Sequence, residues 1–166
     1  LLDEAGVAHV AVSPESIADT REMIVKLGRL VGRAGAAAAL VGRIDEGLAG
    51  VADSVEGRAP VRVAWVMAGT PPWVAGPGTF IHELVELAGG ENVFADLDRP
   101  WAPVSPETVL AREPDVLVVP EGGSLDDRIT GAAPVRRVPG FVQLPGADLA
   151  EAAREIAHAL HPDLFR

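Results

Sequence analysis

The sequence has 166 residues, enough for one ordinary domain with a sizeable core and too few for two full domains. Hydrophobic residues make up 48% and charged residues 23%, a balance typical of a folded globular protein. The net charge of −10 argues against nucleic acid as a partner, because its phosphates would repel the chain. Apolar runs end well before 18 residues, so no transmembrane helix is predicted, and the lack of cysteine excludes disulfides and thiolate chemistry within this stretch.

The first residues have the pattern of an interior segment. Residues 1–8 resemble the end of a helix leading into a strand, without an initiator Met or a signal peptide, so we expect a piece of a longer protein. Residues 9–12 predict a short strand. Ser13 is then predicted to cap a helix, with Pro14 at its first position and Glu15 in its first turn.

The next forty or so residues carry helical spacing. The apolar positions that recur with this period are Ile17, Ile24, Leu27, Val31, Leu40, Ile44, Leu48 and Val51. Six glycines interrupt the pattern, and each weakens an isolated helix by up to ~1 kcal/mol relative to Ala. The pattern predicts one long helix bent near residues 33–35, or two helices end to end.

From residue 58 onward the pattern changes to alternating strands and helices. Strands are predicted at 61–67, 115–119 and 141–144, and helices at 79–88, 105–111, 124–129 and 147–160. Such alternation predicts a parallel sheet covered on both faces, so the expected fold class is α/β.

Motifs for catalysis or phosphate binding are absent. Residues 75–79 precede a helix whose free N–H groups would suit an anion, but no Lys is nearby and a simple turn is the better interpretation. His82 and Glu86 lie one helical turn apart, as two metal ligands would, without a third. His158 and His161 end the last predicted helix, where its dipole favours them. We predict no catalytic residue, metal site or cofactor.

The tryptophans are more informative. Trp73 follows a predicted strand that ends at Met67, and Trp101 lies in a second predicted loop, both flanked by prolines that reduce the entropy lost on fixing the side chain. Ligands of open α/β sheets bind beyond the carboxyl ends of strands, and an indole offers a flat apolar face to a large flat ligand. Covering the core or an interface explains both tryptophans equally well. Trp65, inside a strand, is predicted to be core.

Two segments resemble a known family. Residues 79–94, with Gly-Gly-Glu-Asn at 89–92, and residues 100–115, with Pro-Trp-x-x-Val-Ser-x-Glu at 100–107, are similar to the C-terminal lobe of the cobalamin, haem and iron-siderophore binding proteins of ABC importers. The two short strings are closest to the cobalamin-binding members. Residues 27–33 resemble the rigid helix that joins the two lobes of this family.

The resemblance implies one half of a two-lobed binding protein, with a Rossmann-like parallel-sheet lobe after a long interlobe helix. Residues 1–13 would be the remnant of the N-terminal lobe, 14–57 the interlobe helix and 58–166 the C-terminal ligand-binding lobe. The implied function is non-catalytic: the protein would capture a corrinoid outside the cytoplasm, in the periplasm or tethered by lipid, and deliver it to an ABC permease in the membrane. The N-terminal lobe would be almost entirely absent from this sequence.

The resemblance also implies roles for individual residues. Trp73 and Trp101, with Pro72 and Thr70, fall where the cobalamin-binding members contact their ligand. Glu107 matches the acidic residue that docks this lobe onto arginines of the permease. A carboxylate in the first turn of a helix also stabilises that helix by about 0.3–1 kcal/mol, which alone would explain Glu107.

Other hypotheses stay open. One alternative stays within the family: the ligand is haem or a ferric siderophore instead of a corrinoid. A different class is a small α/β nucleotide-binding or enzymatic domain that uses the turn at 76–79. A third is a lobe adapted to assembly, which forms a homodimer through the face that the absent N-terminal lobe leaves bare.

Overall fold

The computed structural model describes Gly6 and residues 9–164. The helices are α1 (Ile17–Leu30), α2 (Ala34–Val55), α3 (Phe80–Leu87), α4 (Pro106–Ala111) and α5 (Leu149–Leu160), with a 3-10 helix at Gly140–Gln143. The strands are β1 (Val61–Met67), β2 (Trp73–Ala75), β3 (Gly90–Asn92), β4 (Trp101–Pro103), β5 (Val116–Pro120) and β6 (Val135–Val138). The predicted helices at 79–88, 105–111 and 147–160 and the strands at 61–67 and 115–119 are confirmed to within a few residues.

The residue that caps the N-terminus of α1 is Ser16, not Ser13 as predicted. The Asp19 backbone N–H donates to Ser16 Oγ at 3.0 Å, and the Ser16 N–H donates to Asp19 Oδ2 at 3.0 Å, which completes a capping box. This reciprocal pair satisfies two free donors, whereas Pro14 and Glu15 precede the helix. Residues 9–12 form no strand, so that prediction is wrong, and residues 1–5, 7 and 8 lie outside the described residues.

Helices α1 and α2 fold back on each other. The chain reverses at Gly32, whose φ of 68° is readily adopted only by glycine. Arg21 Nε donates to Asp45 Oδ1 at 2.6 Å across the pair, and Gly28 packs against Ala37 near the turn. The alternative of two helices is confirmed, with the break at 31–33. Their predicted end-to-end arrangement is wrong, because the left-handed turn at Gly32 makes the two helices antiparallel.

The sheet is built around β1. The strand order is β4-β2-β1-β5-β6, and β3 pairs with the first half of β1 on the side where β2 pairs with its end. Strands β3 and β5 are parallel to β1, and β6 is parallel to β5. The α/β class is confirmed. Strands β2, β3, β4 and β6 were not predicted. Strands β2 and β4 are antiparallel to their neighbours, and β2, β3 and β4 are too short, at three residues each, to show a period in sequence.

Two predictions in the last third are wrong. Residues 124–129 form turns instead of a helix, and residues 141–144 belong mostly to the 3-10 helix instead of a strand. The last parallel strand is β6, in which Arg136 and Arg137 are exposed. A strand at the sheet edge does not need the continuous apolar run that marks a buried one.

The core has one cluster on each face of the sheet. Trp65 is fully buried, as predicted, on the face covered by α2, α3 and α5. Val66, one residue on, lies in the opposite cluster with Phe94 and Ile129. Because strand side chains alternate, β1 supplies both clusters. Among the described residues, no helix is long and apolar enough to span a bilayer.

Candidate functional site

Trp73 lies at the edge of the sheet where the parallel strands end. It pairs with Met67, the last residue of β1, on one side and with Pro103, the last residue of β4, on the other. Strands β1 and β4 are both antiparallel to β2, so they run in the same direction and end together. Trp73 is 44% exposed, an unusual exposure for so large an apolar side chain. Trp73 lies level with the carboxyl end of β1, in a strand, whereas the sequence predicted a loop beyond that end. Trp101, also predicted in a loop, begins β4.

Trp101 lies on the same face of the sheet as Trp73. It pairs with Ala75, two residues along β2 from Trp73, and partners directly opposite each other share a face. Such diagonal positions are about 7–8 Å apart. Trp101 is half-buried against the core, and its indole N–H donates to Glu15 Oε2 at 3.2 Å. Its ring therefore both covers the core and leaves part of its surface open.

Backbone hydrogen bonds at both ends of the β2–β4 pair join the segments around Pro72 and Pro100. The Val104 N–H donates to the Pro72 carbonyl at 2.9 Å, and the Gly76 N–H donates to the Pro100 carbonyl at 2.7 Å. Pro72 is buried, whereas Thr70 is exposed. Of the four predicted ligand contacts, Trp73, Trp101 and Thr70 thus have accessible surface, and Pro72 does not.

A cleft of about 270 Å³ opens between the ends of β1 and β5. Its lining consists of Met67, Ala68, Pro120, Glu121, Gly122, Gly123 and Gln143. Met67, the strand partner of Trp73, links the cleft to the tryptophan. The glycines and Gln143 were not predicted. The signal that could have found the glycines is their position directly after the buried strand β5, at the edge where α/β sheets bind ligands.

Glu107 lies at the start of α4, just beyond this same edge. Ser105 caps the helix by accepting a hydrogen bond from the Thr108 N–H at 3.2 Å. The Glu107 side chain is exposed and lies 3.5 Å from Arg128, which Asp126 holds with bonds of 3.0 and 2.8 Å. Hydrogen bonds from its own backbone N–H and from Ser105, and then the charge of Arg128, lower the pKa of Glu107. The carboxylate is therefore ionised at neutral pH.

The turn at 75–79 serves as a helix cap. Thr79 is fully buried, its hydroxyl donates to the Gly76 carbonyl at 3.0 Å, and it accepts from the His82 N–H at 3.1 Å. The His82 N–H bonds Thr79 and the Phe80 N–H bonds the Glu15 carbonyl, so two of the N–H groups that an anion would need are already used and a turn is the better interpretation.

Asn92, in the Gly-Gly-Glu-Asn string, has a buried side chain that hydrogen-bonds to the backbone of Ala75 and Phe94. Its side-chain NH₂ donates to the Ala75 carbonyl at 3.0 Å, and its side-chain oxygen accepts from the Phe94 N–H at 3.0 Å. His82 Nδ1 lies 3.3 Å from the same NH₂ group, and His82 Nε2 lies 3.6 Å from Glu86. Across the described residues, no group of three potential ligands could hold a metal ion.

The fold and these motifs match a known family. The family model described as "Periplasmic binding protein" matches residues 2–148, most of the chain. The chain therefore belongs to the periplasmic binding protein family.

Its relatives include binding proteins for vitamin B12. It is 37% identical over 109 residues to a vitamin B12-binding protein of Salmonella choleraesuis, covering 66% of this chain and 40% of the relative. It is 32% identical over 129 residues to a cobalamin-binding protein of Halobacterium salinarum, covering 76% of this chain and 34% of the relative. The chain thus spans between a third and two fifths of these relatives' length.

The structure of the periplasmic vitamin B12-binding protein of Vibrio cholerae superposes with a TM-score of 0.79, covering 99% of this chain and 69% of that chain. The sequence identity is 18%, so this likeness shows the fold alone.

Proposed function

We propose that this chain contributes the C-terminal lobe of a solute-binding protein that captures a corrinoid and delivers it to an ABC permease. Residues 58–166 would form the ligand-binding lobe, and the hairpin α1–α2, within residues 14–57, would connect it to an N-terminal lobe. The observation that carries the proposal is the position of Trp73 and Trp101 on one face of the adjacent strands β2 and β4, near the end of β1.

The physical basis is a rigid aromatic wall. Both indoles stand on strands whose backbones are joined by β2–β4 pairing and by the flanking bonds from Val104 and Gly76. Rigid aromatic side chains lose little entropy on binding and suit a large ring system with an apolar face. The names of the relatives from Salmonella and Halobacterium support a corrinoid as the ligand.

The delivery step would use Glu107. Its carboxylate is ionised and exposed at the edge of the sheet that also carries Trp73, and a partner with arginines would compete with Arg128 for it. The protein would then act outside the cytoplasm, free or tethered by lipid. The homodimer suggested by the sequence stays a prediction, which a size measurement in solution would test.

An enzymatic or nucleotide-binding role has less support. The turn at 76–79 caps a helix through Thr79, and no basic side chain was found beside it in the sequence. The relatives from Salmonella and Halobacterium are named as binding proteins.

The test is a titration of the ¹⁵N-labelled chain with cobinamide, followed by the three indole N–H signals in two-dimensional NMR. The sequence has three tryptophans, so substitution of each by Phe assigns every signal. NMR detects millimolar affinities, as expected for one wall of a cleft, and avoids the strong light absorption of corrinoids.

We expect the signals of Trp73 and Trp101 to shift with cobinamide and the signal of buried Trp65 to stay within experimental error. Parallel titrations with a haem and with a ferric siderophore decide the ligand class. A response to one of these and not to cobinamide would show that the corrinoid assignment is wrong.

A further inference from the structure

The hydrogen bond between Trp101 and Glu15 joins two residues that are 86 positions apart in sequence. Glu15 lies in the segment that leads into α1, ahead of its cap at Ser16. Trp101 begins β4 at the wall described above. The bond thus connects the entry of the chain into this lobe with a proposed ligand contact.

The backbone around Glu15 is held in place independently of its side chain. The Phe80 N–H donates to the Glu15 carbonyl at 2.5 Å, and the Glu15 N–H donates to Asp19 Oδ2 at 3.3 Å. Two residues later, the Ile17 N–H donates to Glu83 Oε2 at 2.7 Å. The bonds from Phe80 and to Glu83 attach the segment to α3, so the backbone that carries the Glu15 carboxylate is fixed.

Trp101 is equally well anchored. Its backbone pairs with Ala75, and the preceding Pro100 carbonyl accepts from the Gly76 N–H at 2.7 Å. With both backbones fixed, the bond from the indole N–H to Glu15 restricts the rotation of the ring about its side-chain bonds.

We infer that Glu15 is a positioning residue for ligand binding, which holds the Trp101 ring so that it presents apolar surface. This inference rests on the proposed function. An indole has one N–H donor and no acceptor. Because Glu15 takes that donor, the remaining open surface of Trp101 is the ring face and its C–H edge. The wall therefore favours a ligand whose contact surface is apolar over one that needs a hydrogen-bond donor at this position.

The test compares Glu15→Ala and Glu15→Gln with the unaltered chain. Glu15→Gln keeps a carbonyl oxygen that can accept the indole N–H, so it is the conservative variant. Glu22→Ala, at an exposed position of α1, is the matched control for loss of a carboxylate. Two quantities are measured by NMR: the position and water exchange of the Trp101 indole N–H signal, and the cobinamide affinity.

In Glu15→Ala we expect the Trp101 signal to move and its exchange with water to rise, with the Trp65 signal unchanged. Loss of one hydrogen bond to a charged acceptor should weaken cobinamide binding about three- to tenfold. Glu15→Gln should bind within about twofold of the unaltered chain, and Glu22→Ala should be indistinguishable from it.

Different outcomes separate this inference from the proposed function. If Glu15→Ala leaves the Trp101 signal in place, or moves it while binding cobinamide as before, Glu15 does not position the ring for ligand. If the unaltered chain binds no cobinamide, the proposed corrinoid function is wrong, and the ligand role of Glu15 with it.

Discussion

Gly28 of α1 lies so close to Ala37 of α2 that a Cβ atom at position 28 would overlap the Ala37 methyl group. Gly28 is buried, and its carbonyl accepts from the Arg33 N–H at 2.6 Å in the turn between the helices. This contact sets the distance between the two helices. It also gives a packing reason for a glycine that by propensity alone weakens α1.

Gly28→Ala should lower the free energy of unfolding by about 1–3 kcal/mol, because relief of the overlap would push the helices apart. Urea denaturation followed by circular dichroism measures the change. Gly42→Ala is the control: a Cβ at position 42 of α2 has no neighbour within 4 Å. There the better helix propensity of Ala should stabilise the protein by up to ~1 kcal/mol. Equal effects at both sites would contradict the proposed close contact.

Trp73→Ala should reduce cobinamide affinity about tenfold or more, as truncation of an aromatic anchor at a binding wall commonly does. Because Trp73 is 44% exposed, its loss should lower the free energy of unfolding by about 1–2 kcal/mol, less than the loss of a fully buried tryptophan. Trp65→Ala, in the core, should cost about 3–5 kcal/mol. NMR titration and urea denaturation measure the two effects. A large loss of stability in Trp73→Ala would instead indicate that this side chain covers the core.

Glu107→Lys should reduce binding to the permease about tenfold or more, because a reversed charge faces cationic partners across the interface. Glu46→Lys, at an exposed position of α2, makes the same change in net charge and should have little effect. The measurement is co-purification with the permease in detergent, alongside cobinamide titration of each variant. Unchanged permease binding by Glu107→Lys would leave only the helix-stabilising role of Glu107.

The capping box at the start of α1 should make stability depend on acid pH. Hydrogen bonds from the side chain and backbone of Ser16 lower the pKa of Asp19 from its ordinary value of 3.8. The folded state therefore binds this proton less readily than the unfolded state. The stabilisation is complete above the ordinary pKa and is lost as pH falls below it, through the lowered pKa of the folded state.

Asp19→Ala should accordingly be less stable than the unaltered chain at neutral pH, with the difference shrinking as pH falls below 3.8. Urea denaturation at a series of pH values measures this. Ser16→Ala removes the other half of the box, so the double variant should lose less than the sum of the two single losses. Strict additivity would show that the two residues act separately.

The sequence predicted the helices and strands that have a clear period or cap. The start of α4 could be predicted from Ser105, Pro106 and Glu107, and β5 from the continuous apolar run at 116–119, because both signals are local in sequence. The family resemblance likewise depended on short strings, such as 89–92 and 100–107, and the family match confirms it.

Only the tertiary structure decided the arrangement of the helices at 17–55 and the setting of Trp73 and Trp101. A left-handed turn at Gly32 reverses the chain, and the packing of Gly28 on Ala37 stabilises the antiparallel pair. Neither feature produces a periodic pattern in the sequence. Strands β2 and β4 form because their backbones hydrogen-bond to each other. A segment of three residues does not show by itself that such a partner exists. The contact of Trp101 with Glu15 joins segments 86 residues apart, so it depended on folding of the whole lobe.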